Sequence, residues 1–213
     1  MTVGGLVICF AGFEAASRGL DAAGIDSELT GHGAKWLVPA AVFAWVVLVE
    51  GRTLESVGLR LMGGPLVTAG WVLAGTAVML AANVVCQPLW QLLPGGDEAV
   101  AEGLGSFADL SGGERAFVAA TAGATEEPPY RSYPIERIGA LTGSPLLGGA
   151  VAGVAFLVAH LGETWTPAAV VRMAQPTALL IGFYLLTGSL PVVVGMHALN
   201  DAVGLAMAER FAE

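Results

Sequence analysis

Three uncharged runs constrain this chain more than any other feature: Leu61–Gly96, Ile138–Gly162 and Met173–Asn200. Each is longer than the roughly 20 apolar residues that carry a helix across a bilayer. The runs read as membrane helices. Composition agrees: 55% of residues are hydrophobic and 13% charged, against about 25% charged in a soluble domain. The mean hydropathy is +0.71. The 30 glycines suit membrane helices, which pack through small residues. The expected fold is an all-α, polytopic transmembrane bundle of about seven helices (six to eight), built as one integral-membrane domain over residues 1–213.

The spans are expected at Val3–Phe13 (a weak first helix, extended toward Leu20 by a Glu14–Arg18 pair), Trp36–Val49, within Pro65–Leu93, from Arg115 onward, up to Leu161, up to Leu186, and Val192–Met207. Asp21–Lys35 reads as a loop, Pro94–Glu114 as an acidic, glycine-rich loop. The sequences LTGSP (141–145), GETWTP (162–167) and TGSLP (187–191) read as turns. A net charge of −9 with no basic cluster argues against a nucleic-acid partner. Cys9 and Cys86 both lie in apolar segments and suggest neither a disulfide framework nor a thiolate zinc site.

Against this background a few polar residues stand out. A charge at the centre of a membrane helix costs about 2.5–3.5 kcal/mol on insertion scales, and such residues are functional candidates by default. The first group is Glu126, Glu127 and Arg131 in EEPPYR. Helical residues advance by about 100° each. Glu127 and Arg131 therefore fall about 40° from eclipsed and pair on one face, whereas Glu126 and Arg131 are about 140° apart. The spacing neutralises Glu127 and leaves Glu126 as a free carboxylate, a candidate general base. Pro128 and Pro129 lack an N–H, so the carbonyls of Ala124 and Thr125 lose their helical partners. The helix is expected to open or kink beside the acids, and irregular backbone at that depth fits a wet cavity.

The second group is His160, in FLVAH. It lies as far after Gly143 as Glu126 lies before it. Two antiparallel helical arms of equal length bring the two side chains to the same depth. The third is GMHALND, where His197 and Asp201 share a helix face and Asn200 lies beside them. Interhelical hydrogen bonding explains the last group as well as catalysis does.

Taken in order, EEPPYR, FLVAH and HALND fit the patterns EExxxR, FxxxH and HxxxB, with B being Asn or Asp. With these motifs the chain resembles the CPBP family of intramembrane endopeptidases, the CAAX-protease and bacteriocin-processing type. The resemblance covers residues 115–205, the expected catalytic core. It implies hydrolysis of a peptide or protein substrate near the membrane, without a cofactor, at a site opening to the cytosol. It implies that Glu126 activates water with His160, that His197 and the Asx position bind the developing oxyanion, and that Glu127 and Arg131 brace the site. Two departures matter. Prolines and Ser132 surround the arginine where the family has bulky apolar residues and a glycine. The Asx is Asp201, and an ionised aspartate donates no hydrogen bond. Either Asp201 is protonated, or Asn200 substitutes, or Asp201 orients a histidine.

Two other readings compete. A zinc protease would draw on His160, His197 and a carboxylate, although no HExxH helix is present. A non-catalytic immunity or scaffold protein would use the cluster only to hold helices together. Orientation follows from the basic residues: Arg18, Lys35, Arg115, Arg172 and Arg210 fall on one side, Arg52, Arg60 and Arg137 on the other. Five against three favours the first side, nearest His160, as cytosolic.

Overall fold

The computed structural model describes residues 2–24, 28–95, 105, 107–160 and 165–211. The helices are α1 (Thr2–Ala22), α2 (Glu28–Ala34), α3 (Leu37–Ala44), α4 (Pro65–Gln91), α5 (Gly112–Glu127), α6 (Tyr133–Thr142), α7 (Pro145–His160), α8 (Pro167–Thr187) and α9 (Leu190–Ala206). No strand occurs among the described residues. Among the described residues three helices, α1, α4 and α8, are long and apolar enough to cross a membrane. The stretch 37–49 and helices α7 and α9 are shorter apolar helices. The bundle is all-α, as the apolar runs require.

Several boundaries follow from local chemistry. Ser111 and Glu114 form a reciprocal cap at the head of α5: Glu114 N–H donates to Ser111 Oγ at 3.3 Å, and Ser111 N–H donates to Glu114 Oε2 at 2.8 Å. Gly143 and Gly188 end α6 and α8 with φ of 75° and 57°, a conformation that glycine adopts without steric cost. Prolines open α4, α7, α8 and α9, where a missing N–H costs nothing.

One expectation needs correction, and two others are made specific. The first helix runs the full 21 residues to Ala22, and the Glu14–Arg18 pair expected to extend it is formed at 2.7 Å. The segment 21–35 is not a plain loop: α1 runs to Ala22, and α2 occupies Glu28–Ala34. Glycine and histidine hid this short helix from a pattern-based reading. As expected, the prolines after Glu127 do not end the helix. They open it into a π-helical turn, Pro128–Ser132, and the Tyr133 N–H reaches back five residues to the Pro128 carbonyl. The widened turn accommodates two residues without N–H groups, and α6 continues the rod beyond it. Most of the expected acidic loop, residues 96–104 and 106, and part of the GETWTP turn, residues 161–164, lie outside the described residues.

The distribution of polarity suits lipid. Leu66, Leu48 and Val85 are exposed, whereas Glu127 and Arg131 are fully buried. One apolar cluster joins α4, α8 and α9 to α6 through Met79, Leu180, Tyr184, Val193, Met196 and Ile135. A second joins α1 and the stretch 37–49 through Cys9, Val42 and Val46 to Tyr133. At the end of the bundle away from His160, Glu50 accepts from Tyr133 Oη at 2.6 Å and from Arg137 Nε at 2.8 Å. Arg137 also donates to the Ser56 carbonyl at 3.0 Å, tying the 50–57 connector to α6.

Helix α9 packs against α5 and α4, and α6 against α7. The α5–α9 approach depends on Gly123. A Cβ there would lie 2.7 Å from the Val194 carbonyl oxygen and 3.0 Å from the Ala198 nitrogen. Both neighbours are backbone and cannot swing aside. Gly123→Ala is expected to destabilise the bundle by about 1–3 kcal/mol through overpacking, read as a fall in thermal stability of detergent-solubilised protein. Gly182→Ala, with nothing within 4 Å of its Cβ position, is expected to be neutral or mildly stabilising. Equal effects at the two sites would remove the packing argument.

Candidate active site

The rod α5–π turn–α6 carries two consecutive acids, and helices α7 and α9 each bring one histidine to them. Glu126 lies three residues before the end of the first motif's proline pair, and His160 is the last residue of α7. Glu126 Oε2 lies 3.3 Å from His160 Nε2. The depth argument from Gly143 is matched by this contact. His160 Nδ1 lies 2.9 Å from the Phe156 carbonyl oxygen. A carbonyl only accepts, so Nδ1 carries the proton, and Nε2 faces the carboxyl group. A single proton shared along Nε2···Oε2 then satisfies both groups, which is the arrangement an acid–base pair needs.

Glu127 is engaged separately. Its Oε1 lies 3.2 Å from an Arg131 Nη and 2.7 Å from His197 Nδ1. The pairing of Glu127 with Arg131 follows the four-residue spacing, even across the π turn. Arg131 also lies 4.0 Å over the ring of Phe156, a cation–π contact. Phe156 in turn stacks on His160, with centroids 3.9 Å apart and planes at 28°. Tyr130, the residue between the prolines and the arginine, packs edge-on to Phe156 at 5.2 Å. Thus the aromatic position of FLVAH links the arginine of one motif to the histidine of the next.

His197 is held at both nitrogens. Its Nε2 lies 3.2 Å from Asp201 Oδ2, one helical turn on. An imidazole with a carboxylate at each nitrogen donates to both only when both nitrogens are protonated. Asp201 Oδ1 accepts from Asn200 Nδ2 at 3.2 Å, and Asn200 Oδ1 accepts from Asn83 Nδ2 at 2.9 Å. Of the three options that the sequence leaves for Asp201, the geometry is that of an acceptor orienting a histidine.

Glu126 is not the free carboxylate that the helix spacing suggests. Its Oε1 lies 3.5 Å from Lys35 Nζ. Lys35 belongs to the turn between α2 and α3, and Trp36 beside it donates from Nε1 to Thr121 Oγ1 on α5 at 3.4 Å. The sequence reading missed Lys35 as a site residue, and Asn83 too. A signal existed for the first: Lys35 is the only lysine in the chain. Asn83 is the polar residue of an otherwise apolar stretch of α4, the kind of position that seeks a partner in a membrane.

Beside this site, between α1, the α2 end and α7, lies a cavity of ≈ 620 Å³ whose walls include Phe10, Phe13, Leu20, Lys35, Tyr130 and Val158. Its walls are apolar apart from Glu14, Ser17 and Lys35, and Lys35 also contacts Glu126. Among the described residues no group of three or more His, Cys, Asp or Glu side chains is arranged to hold a metal ion.

Residues 114–203 match the model of a protein family described as type II CAAX prenyl endopeptidase Rce1-like. The matched segment spans all three motifs, from the head of α5 to the end of HALND. Comparison with curated proteins and with solved structures gave no match.

Proposed function

We propose, on the premise that residues 114–203 belong to the type II CAAX prenyl endopeptidase family, that this chain is an intramembrane endopeptidase in which Glu126 and His160 activate the attacking water. The observation that carries the reading is the Glu126–His160 contact of 3.3 Å, with Lys35 and Tyr130 beside it lining an apolar cavity. A water held by Glu126 gives its proton to the Glu126–His160 pair as its oxygen attacks the scissile carbonyl. The same pair returns the proton to the departing amine. A general base of this kind contributes about 10²- to 10⁴-fold. Glu127 and Arg131 hold α5 against α7 and α9. His197, bound to Glu127 at one nitrogen and to Asp201 at the other, braces Glu127 and with it the turn that carries Glu126.

The substrate class follows from the cavity and the family. A peptide with a lipidated or strongly apolar anchor would lie in the apolar cavity and bring its backbone to Glu126. Lys35 and His160 meet Glu126 at the end of the bundle that the basic-residue count assigns to the cytosol, so the substrate is a cytosolic peptide held at the membrane surface. No cofactor enters these steps.

The test uses purified full-length protein in lipid nanodiscs and a farnesylated peptide ending in a Cys–aliphatic–aliphatic–any-residue sequence. Mass spectrometry should find a cut near the modified cysteine, at a rate unchanged by 1,10-phenanthroline or EDTA. Loss of activity with chelator, restored by zinc, would replace this mechanism by a metal-assisted one. No cleavage of lipidated peptides of any sequence would remove the endopeptidase reading.

A further inference from the structure

Apart from Lys35, the protonated groups near the proposed base are either held by a carboxylate or a carbonyl or, as for Tyr130 and Arg131, buried. His197 Nδ1 faces Glu127 and Nε2 faces Asp201. Asp201 is an acceptor when ionised, and the Asn200 amide donates to it. His160 Nδ1 is taken by the Phe156 carbonyl. Arg131 is fully buried beneath Phe156. The exception is Lys35. Its ammonium has three N–H donors, its side chain is 35% exposed, and one carboxylate oxygen, Glu126 Oε1, lies 3.5 Å away. It also lines the cavity where a substrate would approach.

We infer that Lys35 is a catalytic residue of this enzyme, the electrophile that binds the oxyanion formed when water attacks the scissile carbonyl. The inference rests on the endopeptidase reading above and supplies what that reading lacks. Where an asparagine amide could donate to an oxyanion, this chain has Asp201, and Asp201 is turned to His197. A water held by Glu126 places the attacked carbonyl next to Glu126 and therefore next to the ammonium 3.5 Å from it. A cation at that point attracts negative charge that exists only in the transition state, in a poorly hydrated setting where the attraction is strong.

The step balances. The water oxygen forms a bond to the carbonyl carbon while Glu126–His160 takes one water proton. The carbonyl π pair moves to the oxygen, which accepts hydrogen bonds from Lys35 without taking its proton. Collapse restores the C=O bond and breaks the C–N bond. The amine leaves with the proton held by Glu126–His160. Lys35 then returns to Glu126.

Lys35→Met keeps length and removes the charge, Lys35→Arg keeps the charge, and Lys35→Gln is a second neutral variant should the methionine fold poorly. Each is assayed in nanodiscs on the farnesylated peptide. Alongside, binding is measured for two uncleavable analogues of it: one with a phosphinate in place of the scissile amide, a tetrahedral anion, and one with an N-methylated scissile amide. The neutral variants should lower kcat about 10²- to 10³-fold with little change in KM, and Lys35→Arg should keep much of the rate. Phosphinate affinity should fall in parallel with kcat/KM, while affinity for the N-methyl peptide stays as in the wild type. An active wild type whose Lys35→Met variant cleaves at the same rate, or loses both analogues equally, overturns the inference alone. So does a Lys35→Met effect that vanishes when the peptide's C-terminal carboxylate is amidated, since Lys35 would then be reading the terminus. A wild type that neither cleaves the peptide nor binds the phosphinate overturns the endopeptidase reading and the inference with it.

Discussion

Glu126→Gln is expected to lower peptide cleavage by about 10²- to 10⁴-fold, the range for losing a general base, while leaving the protein folded. The substitution is nearly isosteric. The amide oxygen still accepts from Lys35, and only the ability to take a proton from water is lost. Thermal stability measured in the same nanodiscs should stay close to wild type, because the 3.5 Å and 3.3 Å contacts of Glu126 are long for charge-assisted bonds. His160→Gln should lose rate by a comparable factor, and the double variant should lose little more than either single one, since residues acting as one unit are not additive. A Glu126→Gln protein with wild-type turnover would sink the mechanism. It would leave Glu126 as a residue that only holds helices together, with the water activated elsewhere.

Arg131→Ala is expected to be the most damaging change for the fold, at about 3–5 kcal/mol, the cost of removing one partner of a buried ion pair. Arg131 is fully buried, pairs with Glu127 at 3.2 Å and covers the Phe156 ring at 4.0 Å. Truncation leaves Glu127 with His197 as its remaining cationic partner and opens a void against Phe156. For a chain of this length, a loss of 3 kcal/mol corresponds to a fall of about 6 °C or more in Tm. Arg131→Lys should be intermediate, because it keeps the charge and loses the planar stack. An Arg131→Ala protein as stable as the wild type would mean that Glu127 is held by His197 alone.

The same residues mark where the sequence is readable. Glu127 and Arg131 pair because four residues make one helical turn, a rule that acts within one element. Glu126 and His160 meet because two arms of equal length leave one turn at Gly143, which fixes depth but needs no knowledge of packing. The bundle itself is legible because lipid demands long uncharged helices. What the pattern does not contain is how separate helices are rotated against each other. The contact of His197 with Glu127 rather than Glu126 depends on that rotation. So does the approach of Lys35, which arrives from a glycine-bearing segment far along the chain and has no periodicity to betray it. The π turn was half legible: two prolines announce missing N–H groups, but whether the helix stops or widens depends on the packing of Tyr133 and α1 around it.

The acids are consecutive, and this has a mechanical consequence. Neighbouring positions on a helix point about 100° apart, so α7 and α9 grip the same rod from two directions, one through Glu126 and one through Glu127. Turning α5 about its axis to relax one grip tightens or breaks the other. The rod is thereby torsionally locked, in a solvent that offers no competing hydrogen bonds to ease the rotation. A substrate that draws Lys35 away from Glu126 consequently meets an acid whose direction is set by its neighbour, and the aim of the reactive carboxylate survives the loss of its own salt bridge.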